Sequence, residues 1–282
     1  MNIALITNGF FVTPKTEEIR LLLVKAFEEK GVTPINLRNS DFSAGNIKHE
    51  LMFDAVLFWD KDVLLAKYLE NQGNKVINSS EALRICDDKG ISAVTIAKTG
   101  LNMPRTVVAP FTYANIGYDN VEFLKSVVSK LDFPIVVKES HGSFGQQVYL
   151  AHNYDELEEL TKRIVPRPMI FQQYIECGSS DLRLQVVGDE VVAAVRRTSN
   201  GDFRANATLG GTMTAYTPTK AEIDLAIGAA KAVGAEIAGV DILQGDKPYI
   251  CEVNANAHFK RLMDATNIDV AAKIVDYILS RV

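Results

Sequence analysis

Two short apolar runs near the C-terminus, at positions 239–243 and 248–253, flank the turn-forming sequence Gln-Gly-Asp-Lys and predict a β-hairpin. Glu252 and Asn254 are two residues apart, so a strand places both side chains on one face, and the partner strand can bring Asp241 opposite them. Two carboxylates and an amide oxygen form a hard set of ligands that suits Mg²⁺. A polar hairpin edge facing solvent is the alternative. We favour the metal site, because carboxylates among so many apolar neighbours are costly to bury without a cation or hydrogen-bond donors.

The first part of the chain alternates between strand-like and helix-like segments. Strands are expected at 2–7, 32–37, 55–59 and 75–77, with helices at 15–30 and 62–72. Alternation of this kind implies a parallel sheet that is covered on both faces. No Gly-x-Gly-x-x-Gly motif follows the first strand, so a dinucleotide site has little support.

The pattern then changes to helices and antiparallel strands. A capping box at Ser79 or Ser80 opens a helix, and we expect a domain boundary between Ser80 and Asp88. The segment 169–196 is predicted to form a β-meander. Alternation places three polar side chains on one face of its second strand: Asp181, Arg183 and Gln185.

The stretch 138–150 is predicted to be a strand, a glycine-containing loop and a second strand. Small residues at Gly142, Ser143 and Gly145 let backbone N–H groups approach phosphate oxygens, and Lys138 just before them supplies positive charge. The loop lacks the Gly-Lys-Ser/Thr sequence and the following helix of a Walker loop. A glycine-bearing turn without a ligand is the commoner alternative, so this segment is informative only together with others.

Composition argues against several kinds of partner. The 282 residues carry a formal net charge of -5, which does not suggest a nucleic-acid partner. No apolar run is long enough to span a membrane, and the N-terminus lacks the basic start and long apolar region of a signal peptide, so we expect a cytoplasmic protein. Cys86, Cys177 and Cys251 have no metal-ligand spacing and are interpreted as reduced thiols.

Nine short motifs occur in one order along the chain. They are Asp88-Lys89, Pro134 to Lys138, Gly142 to Gly145, Gln172 to Ile175, Asp181-x-Arg183, Val186 to Arg197, Gly201 to Asn206, Gly239 to Asp241 and Glu252 to Asn254. Each motif alone is weak, but together they resemble the ATP-grasp superfamily and, within it, the RimK-type carboxylate–amine (alpha-L-glutamate) ligases.

The resemblance implies a mixed fold class, α/β and α+β. The expected ATP-grasp fold has an N-terminal open parallel α/β domain followed by two α+β subdomains that sandwich ATP. The expected boundaries are 1–87 for the N-terminal domain, 88–168 for the small ATP-grasp subdomain and 169–282 for the large subdomain with the metal site.

The resemblance also implies roles for individual residues. The residues expected to contact ATP are Lys89, Lys138, Gly142, Ser143, Gly145, Gln172, Gln173, Tyr174, Ile175, Asp181, Arg204 and Asn206. In this set the lysines and the loop meet the phosphates, 172–175 forms the adenine hinge, and Asp181 meets the ribose. The catalytic residues are expected to be Arg196 and Arg204, and the Mg²⁺ ligands, with Mn²⁺ as an alternative ion, Asp241, Glu252 and Asn254. For Arg183, a structural salt bridge and a direct ligand contact stay equally open.

The implied reaction has two steps. A substrate carboxylate attacks the γ-phosphate of ATP to give an acyl phosphate, and an amine then displaces phosphate to form an amide. The expected partners are therefore ATP and small-molecule or peptide carboxylates and amines. A nucleotide-binding regulator without ligase activity is the non-catalytic alternative, and homo-oligomerisation stays open.

One segment departs from the family pattern. RimK-type ligases commonly follow the metal-binding Glu-x-Asn with a Ser-Pro-Gly-like turn, whereas this chain continues with Ala255-Asn256-Ala257-His258. The following Phe259-Lys260 pair looks more like the amino-carrier-protein ligases of lysine and arginine biosynthesis, so a small acidic protein acceptor is a further alternative. His258, Lys260 and Arg261 either contact an anionic substrate or form a solvated basic patch.

Overall fold

The computed structural model describes residues 1–47, 52–142, 145–199, 201 and 211–282. The strands of these residues form three sheets, one parallel and two antiparallel. None of the helices in the described ranges combines the length and apolar character needed to cross a membrane.

The first sheet is parallel, as the alternation of segments predicts. Its strands are β1 Ile3–Thr7, β2 Ile35–Arg38, β3 Ala55–Trp59 and β4 Val76–Ile77, in the order β2-β1-β3-β4. Two connecting helices are α1 Pro14–Glu29 and α2 Val63–Asn71. Strand β1 and the first four residues of β3 are buried, because helices or neighbouring units cover both faces of the sheet.

The second sheet follows two short helices, α3 Ser80–Asp87 and α4 Lys89–Ala97. Its elements in chain order are β5 Thr106–Val108, α5 Phe123–Val128, β6 Ile135–Glu139, β7 Val148–Ala151, α6 Tyr154–Ile164 and β8 Met169–Gln173. Strand β8 lies between β5 and β6 and pairs with both. The boundary expected at 168/169 therefore cuts through this sheet, because a strand read as the start of the meander belongs instead to the preceding unit. We propose that the second unit extends through β8.

The third sheet is antiparallel and contains the hairpin. Its elements in chain order are β9 Ser180–Val187, β10 Glu190–Thr198, β11 Thr212–Ala215, α7 Lys220–Val233, β12 Ile237–Gln244, β13 Pro248–Asn254, α8 Lys260–Thr266 and α9 Val270–Ser280. The strand order is β11-β10-β9-β12-β13. Helix α7 packs on one face, and α8 and α9 pack on the other face, where α9 also contacts α1.

Asn78, which directly follows β4, ties the first unit to the third. Its Nδ2 donates to the carbonyl oxygens of Ile237, at 2.7 Å, and Ala255, at 3.0 Å. Its Oδ1 accepts from the backbone N–H groups of Glu236 and Ile237, at 2.8 and 3.0 Å. The carboxyl edge of the parallel sheet is thereby held beside the end of the β12–β13 hairpin.

Candidate active site

The β12–β13 hairpin brings together the three residues that the spacing selects. Asp241 lies directly opposite Glu252, and Gly239 lies opposite Asn254. The next pair is Ile242 with Ile250, so Cys251 is an extra residue that forms a β-bulge. The bulge re-aims the side chains of Cys251 and Glu252, and both line the cleft between the second and third sheets.

Asp241 is buried in a network of charged side chains on the third sheet. Arg183 binds it with both ends of the guanidinium group, at 2.7 Å from Nε and 2.7 Å from Nη2. The Nη2 of Arg197 lies 2.9 Å from the same carboxylate. Burial opposes ionisation of Asp241, but the two guanidinium groups outweigh burial and hold its pKa below the usual range. Arg183 therefore makes the structural salt bridge that the sequence left open.

Arg197, rather than Arg196, faces this network. The register pairs Arg197 with Asp181 and Arg196 with Leu182, so the two arginines lie on opposite faces of β10. Arg196 stacks on Tyr216, with its Cζ 5.0 Å from the ring centroid. Arg196 is thus directed away from the carboxylate network, and its expected catalytic role stays a prediction. The sequence signal that could have identified Arg197 was the alternation of side chains along β9 and along its partner strand β10.

Asp181 belongs to the same network. Its two carboxylate oxygens accept from Nε of Arg197, at 2.6 Å, and from Nη2 of Arg197. Burial raises the pKa of Asp181 to about 6, against the lowering effect of Arg197. Both oxygens of Asp181 are thus engaged by Arg197, just as those of Asp241 are engaged by the two arginines, so the expected ribose contact of Asp181 stays a prediction.

Two lysines from the second unit reach the bulge of the hairpin. Lys89, the first residue of α4, has its Nζ 3.8 Å from Oε1 of Glu252. Lys138 in β6 is buried, and its Nζ lies 3.7 Å from Sγ of Cys251. Burial raises the pKa of the Cys251 thiol to about 11, which keeps it protonated at neutral pH. The cleft thus holds two ammonium groups facing one carboxylate, which is an arrangement suited to an anionic ligand.

The loop after β6 closes one end of this cleft. Nζ of Lys89 donates to the carbonyl oxygen of Gly142, at 3.1 Å. Gly142 has a φ of +156°, and a Cβ there would lie 2.5 Å from Oε1 of Gln147, so glycine is needed for the close approach. Gly145 has a φ of +71°. Three of the expected site residues, Ser143, Arg204 and Asn206, lie outside the described residues.

The expected hinge lies at the end of β8 on the opposite side of the cleft. Gln172 is buried, lines the cleft and donates from Nε2 to Oγ1 of Thr106, at 3.0 Å. Gln173 accepts at Oε1 from two groups of Arg105, at 3.3 Å each. Tyr174 donates to Glu176, at 3.1 Å, and Ile175 is buried. The free volume of the cleft between the hinge and the hairpin is about 20 Å³.

A model of the RimK-like ATP-grasp domain matches residues 86–278, which contain every site residue described above. The chain belongs to the RimK-like ATP-grasp family. A probable alpha-L-glutamate ligase of Hahella chejuensis is 31% identical over 92% of this chain and 91% of that ligase. Beta-citrylglutamate synthase B of Mus musculus is 33% identical over 78% of this chain and 57% of the synthase. The crystal structure of a RimK domain ATP-grasp protein from Sphaerobacter thermophilus has a TM-score of 0.74, with 22% identity, covering 99% of this chain and all of that one.

These comparisons confirm the ATP-grasp fold expected from the nine motifs. They also confirm the expected class of activity, an ATP-dependent carboxylate–amine ligase. The chain spans about half the length of the synthase but nearly all of the alpha-L-glutamate ligase.

In this RimK-like ligase the expected metal ligands pass a test of fit. Glu252 is partly exposed toward the cleft, and Nδ2 of Asn254 is buried without a hydrogen-bond partner in the described residues. No hydrogen bond through Nδ2 to the described residues therefore holds the amide of Asn254 in one orientation. No group of three His, Cys, Asp or Glu side chains in the described ranges is placed to hold a metal. Asp241 and Glu252 would therefore need a ligand of another kind beside them, such as the amide oxygen of Asn254, and a cation would share Asp241 with the two arginines.

From His258 onward, the segment that departs from the RimK pattern packs against the first unit. His258 donates from Nε2 to the carbonyl oxygen of Lys15 in α1, at 3.0 Å. Phe259 is fully buried, edge-on to Trp59, with ring centroids 5.5 Å apart. Lys260 pairs with Asp264 and Glu18, and Nη2 of Arg261 lies 3.3 Å from the carbonyl oxygen of Gly211. The Phe259-Lys260 pair thus takes part in the packing of the third unit against the first.

Proposed function

We propose that this ligase activates a substrate carboxylate as an acyl phosphate and joins it to the amino group of an amino acid, with L-glutamate as the first candidate. Both the Hahella chejuensis ligase and the Mus musculus synthase carry glutamate in their names, and they are about a third identical to this chain. A cytoplasmic location is part of the proposal, supported by three cysteines that are all free thiols.

The convergence of Lys89, Lys138 and Glu252 across the cleft carries this proposal. The lysines come from the second unit and the carboxylate from the hairpin, so a triphosphate between them would be contacted from both sides. The two ammonium groups supply charge for phosphate oxygens without any protein nucleophile. We assign the phosphates to Lys89, Lys138 and the loop at Gly142 and Gly145, and the adenine to the end of β8.

Asp241, Glu252 and Asn254 would hold Mg²⁺, or Mn²⁺ in its place. The bound ion would neutralise charge on the transferred phosphoryl group. Arg183 and Arg197 fix the orientation of Asp241 through three charge-assisted contacts with its carboxylate. The protein's own contribution is thus to position the phosphates and to keep the carboxylates ionised.

Nucleotide entry requires the cleft to open. Its free volume of about 20 Å³ is far below the roughly 300 Å³ of a small-molecule site. Because β8 belongs to the second sheet and the hairpin to the third, movement of one sheet relative to the other widens the cleft without breaking a strand pair. Closure over the phosphates would then exclude water from an acyl phosphate, which is prone to hydrolysis.

The test is phosphate release from Mg-ATP by the purified protein, with L-glutamate and pools of small carboxylates or peptides. Glu252→Gln should abolish release, because it removes charge from the expected metal set at a partly exposed side chain. Asp246→Asn, an equal charge change at the exposed hairpin turn, is the matched control and should keep full activity. Asp241→Asn is less suitable, since it also leaves two guanidinium groups without their partner.

Two results would contradict the proposal. Equal phosphate release by the Glu252→Gln variant and the unaltered protein would place the reaction away from Glu252. ATP binding without release in any pool would favour a protein acceptor, such as a small acidic carrier, or the regulator hypothesis. Adding a carrier protein with a C-terminal glutamate separates these two possibilities. Phosphate release would then appear if the protein is a ligase with a protein acceptor, but not if it is a regulator.

A further inference from the structure

The parallel sheet has a topological switch point that the ATP site does not use. The chain passes from β1 outward to β2 and then returns to β3 on the other side of β1. In open α/β sheets, ligands bind outside the carboxyl ends of the strands at such a point. Asn8 follows β1 there and Asp60 follows β3, and Nδ2 of Asn8 lies 3.0 and 3.1 Å from the two carboxylate oxygens of Asp60.

Asp60 is a buried carboxylate that forms no ion pair with any of the described residues. Asp60 as a whole is 8% exposed. Apart from Asn8, the only hydrogen-bond donor to its carboxylate among the described residues is the backbone N–H of Lys61, at 2.7 Å. The ammonium group of Lys61 turns away to Asp87. Burial raises the pKa of Asp60, the donors on Asn8 and Lys61 oppose this, and the charge of Asp62 raises it further. A buried carboxylate is costly unless a positive group joins it.

The position of Asp60 relative to the hairpin suggests which positive group that is. Nδ2 of Asn256 donates to the main-chain oxygen of Asp60, and Oδ1 of Asn256 is buried without a partner in the described residues. Asn256 is two residues beyond Asn254, so their Cα atoms are at most about 7 Å apart. Asp60 therefore lies beside the segment that directly follows the expected metal ligands.

We propose that Asp60, positioned by Asn8 and Asn256, binds the ammonium group of the amino-acid substrate. An ammonium group has three N–H donors, and the carboxylate of Asp60 and the unpartnered Oδ1 of Asn256 are acceptors at this point. The segment Ala255-Asn256-Ala257-His258 that departs from the family turn would thus contribute a substrate contact through Asn256. This inference rests on the proposed function, since it assigns the amine of that reaction.

The first experiment is calorimetric titration of the full-length protein with L-glutamate, and with N-acetyl-L-glutamate, which has no ammonium group. Asp60→Asn should weaken glutamate binding at least tenfold, whereas the acetylated compound should bind weakly to both proteins. Asparagine retains an oxygen that accepts from Asn8, so the fold at this edge is kept. Asp62→Asn is the matched control, because it removes a charge two residues away while asparagine still caps α2. It should leave glutamate binding within twofold.

The second experiment separates this inference from the proposed function. Hydroxylamine traps acyl phosphates and is uncharged at neutral pH, so it does not need an ammonium site. Asp60→Asn should form hydroxamate at the unaltered rate and show at least a tenfold higher KM for glutamate. Normal hydroxamate formation with an unchanged glutamate KM would overturn the inference and leave the ligase intact. Absence of hydroxamate from the unaltered protein with every carboxylate would instead overturn the proposed function, and the inference with it.

Discussion

Arg197 Nη2 lies 2.9 Å from an oxygen of Asp241, so the carboxylate expected to hold a cation is already neutralised from within the protein. Arg183 binds the same carboxylate from the other side. Two arginines and two aspartates thus form a buried network with no net charge across β9, β10 and β12. A cation bound at Asp241 would enlarge this network, and the arginines determine how the carboxylate is oriented.

The two neighbouring arginines of β10 should differ sharply in their effect on stability. Arg197→Met leaves two buried carboxylates without a shared partner and should lower the free energy of unfolding by about 3–5 kcal/mol. Arg196→Met loses mainly its stacking on Tyr216 and should cost about 0.5–1 kcal/mol. Urea denaturation of both variants measures the difference. Equal losses would mean that the network contributes no more than the half-buried stack of Arg196 on Tyr216.

Gly239 should accept a side chain only if Ala257 becomes smaller. A Cβ at position 239 would overlap the Cβ of Ala257, so Gly239→Ala should cost about 1–3 kcal/mol and displace the segment after β13. Ala257→Gly removes the obstacle, and the double variant should recover most of the lost stability. A double-mutant cycle from thermal or urea unfolding gives the coupling energy. Additive effects of the two substitutions would rule out this contact as the cause.

Asn78 should couple the unfolding of the first and third units. Asn78→Ala leaves two buried N–H groups and two carbonyl oxygens without partners, at a cost of about 2–4 kcal/mol. Trp59 is the single tryptophan, lies at the end of β3 and packs edge-on against Phe259, so its fluorescence reports the contact between the first and third units, while far-UV circular dichroism reports the whole chain.

In Asn78→Ala, the fluorescence and dichroism transitions should separate along the urea axis. Asn74→Ala removes a buried asparagine whose hydrogen bonds stay within the first unit, and it is the matched control. If the two transitions separate to the same extent in both variants, Asn78 is not the link between the units.

Glu70 should contribute stability that disappears in acid. Burial raises the pKa of Glu70, but hydrogen bonds from Oγ and the backbone N–H of Ser80, at 2.6 Å each, outweigh it and lower the pKa. Because the folded pKa lies below the unfolded value, the ionised group stabilises the fold above about pH 4.3, and this contribution is lost as the pH falls through the folded pKa.

Glu70→Gln should therefore reduce the free energy of unfolding at pH 7 by about 1–2 kcal/mol. The difference from the unaltered protein should shrink as the pH falls below about 4. Unfolding in urea at several pH values tests this, with the exposed Glu28→Gln as control. A difference that stays constant from pH 7 to pH 3 would contradict the assignment.

The sequence by itself determined the elements and much of the site. Alternating segments predicted the parallel sheet, and the two-residue spacing of Glu252 and Asn254 predicted a shared face opposite Asp241, which the register shows. Local rules suffice for these features, because the two-residue period of a strand and the turn-forming residues between elements depend only on neighbouring residues.

The tertiary structure alone decided which charges meet. The sequence placed Arg196 at the site, yet the register of β10 against β9 turns Arg197 to Asp181 and Asp241. It also placed a boundary just before β8, which pairs with β5 and β6 of the second sheet, since nothing in a strand's own residues says which sheet it joins. Asn8 and Asp60 meet only because β1 and β3 are neighbours. Partners far apart in sequence are chosen by sheet order and register, and a shift of one residue moves every side chain to the other face.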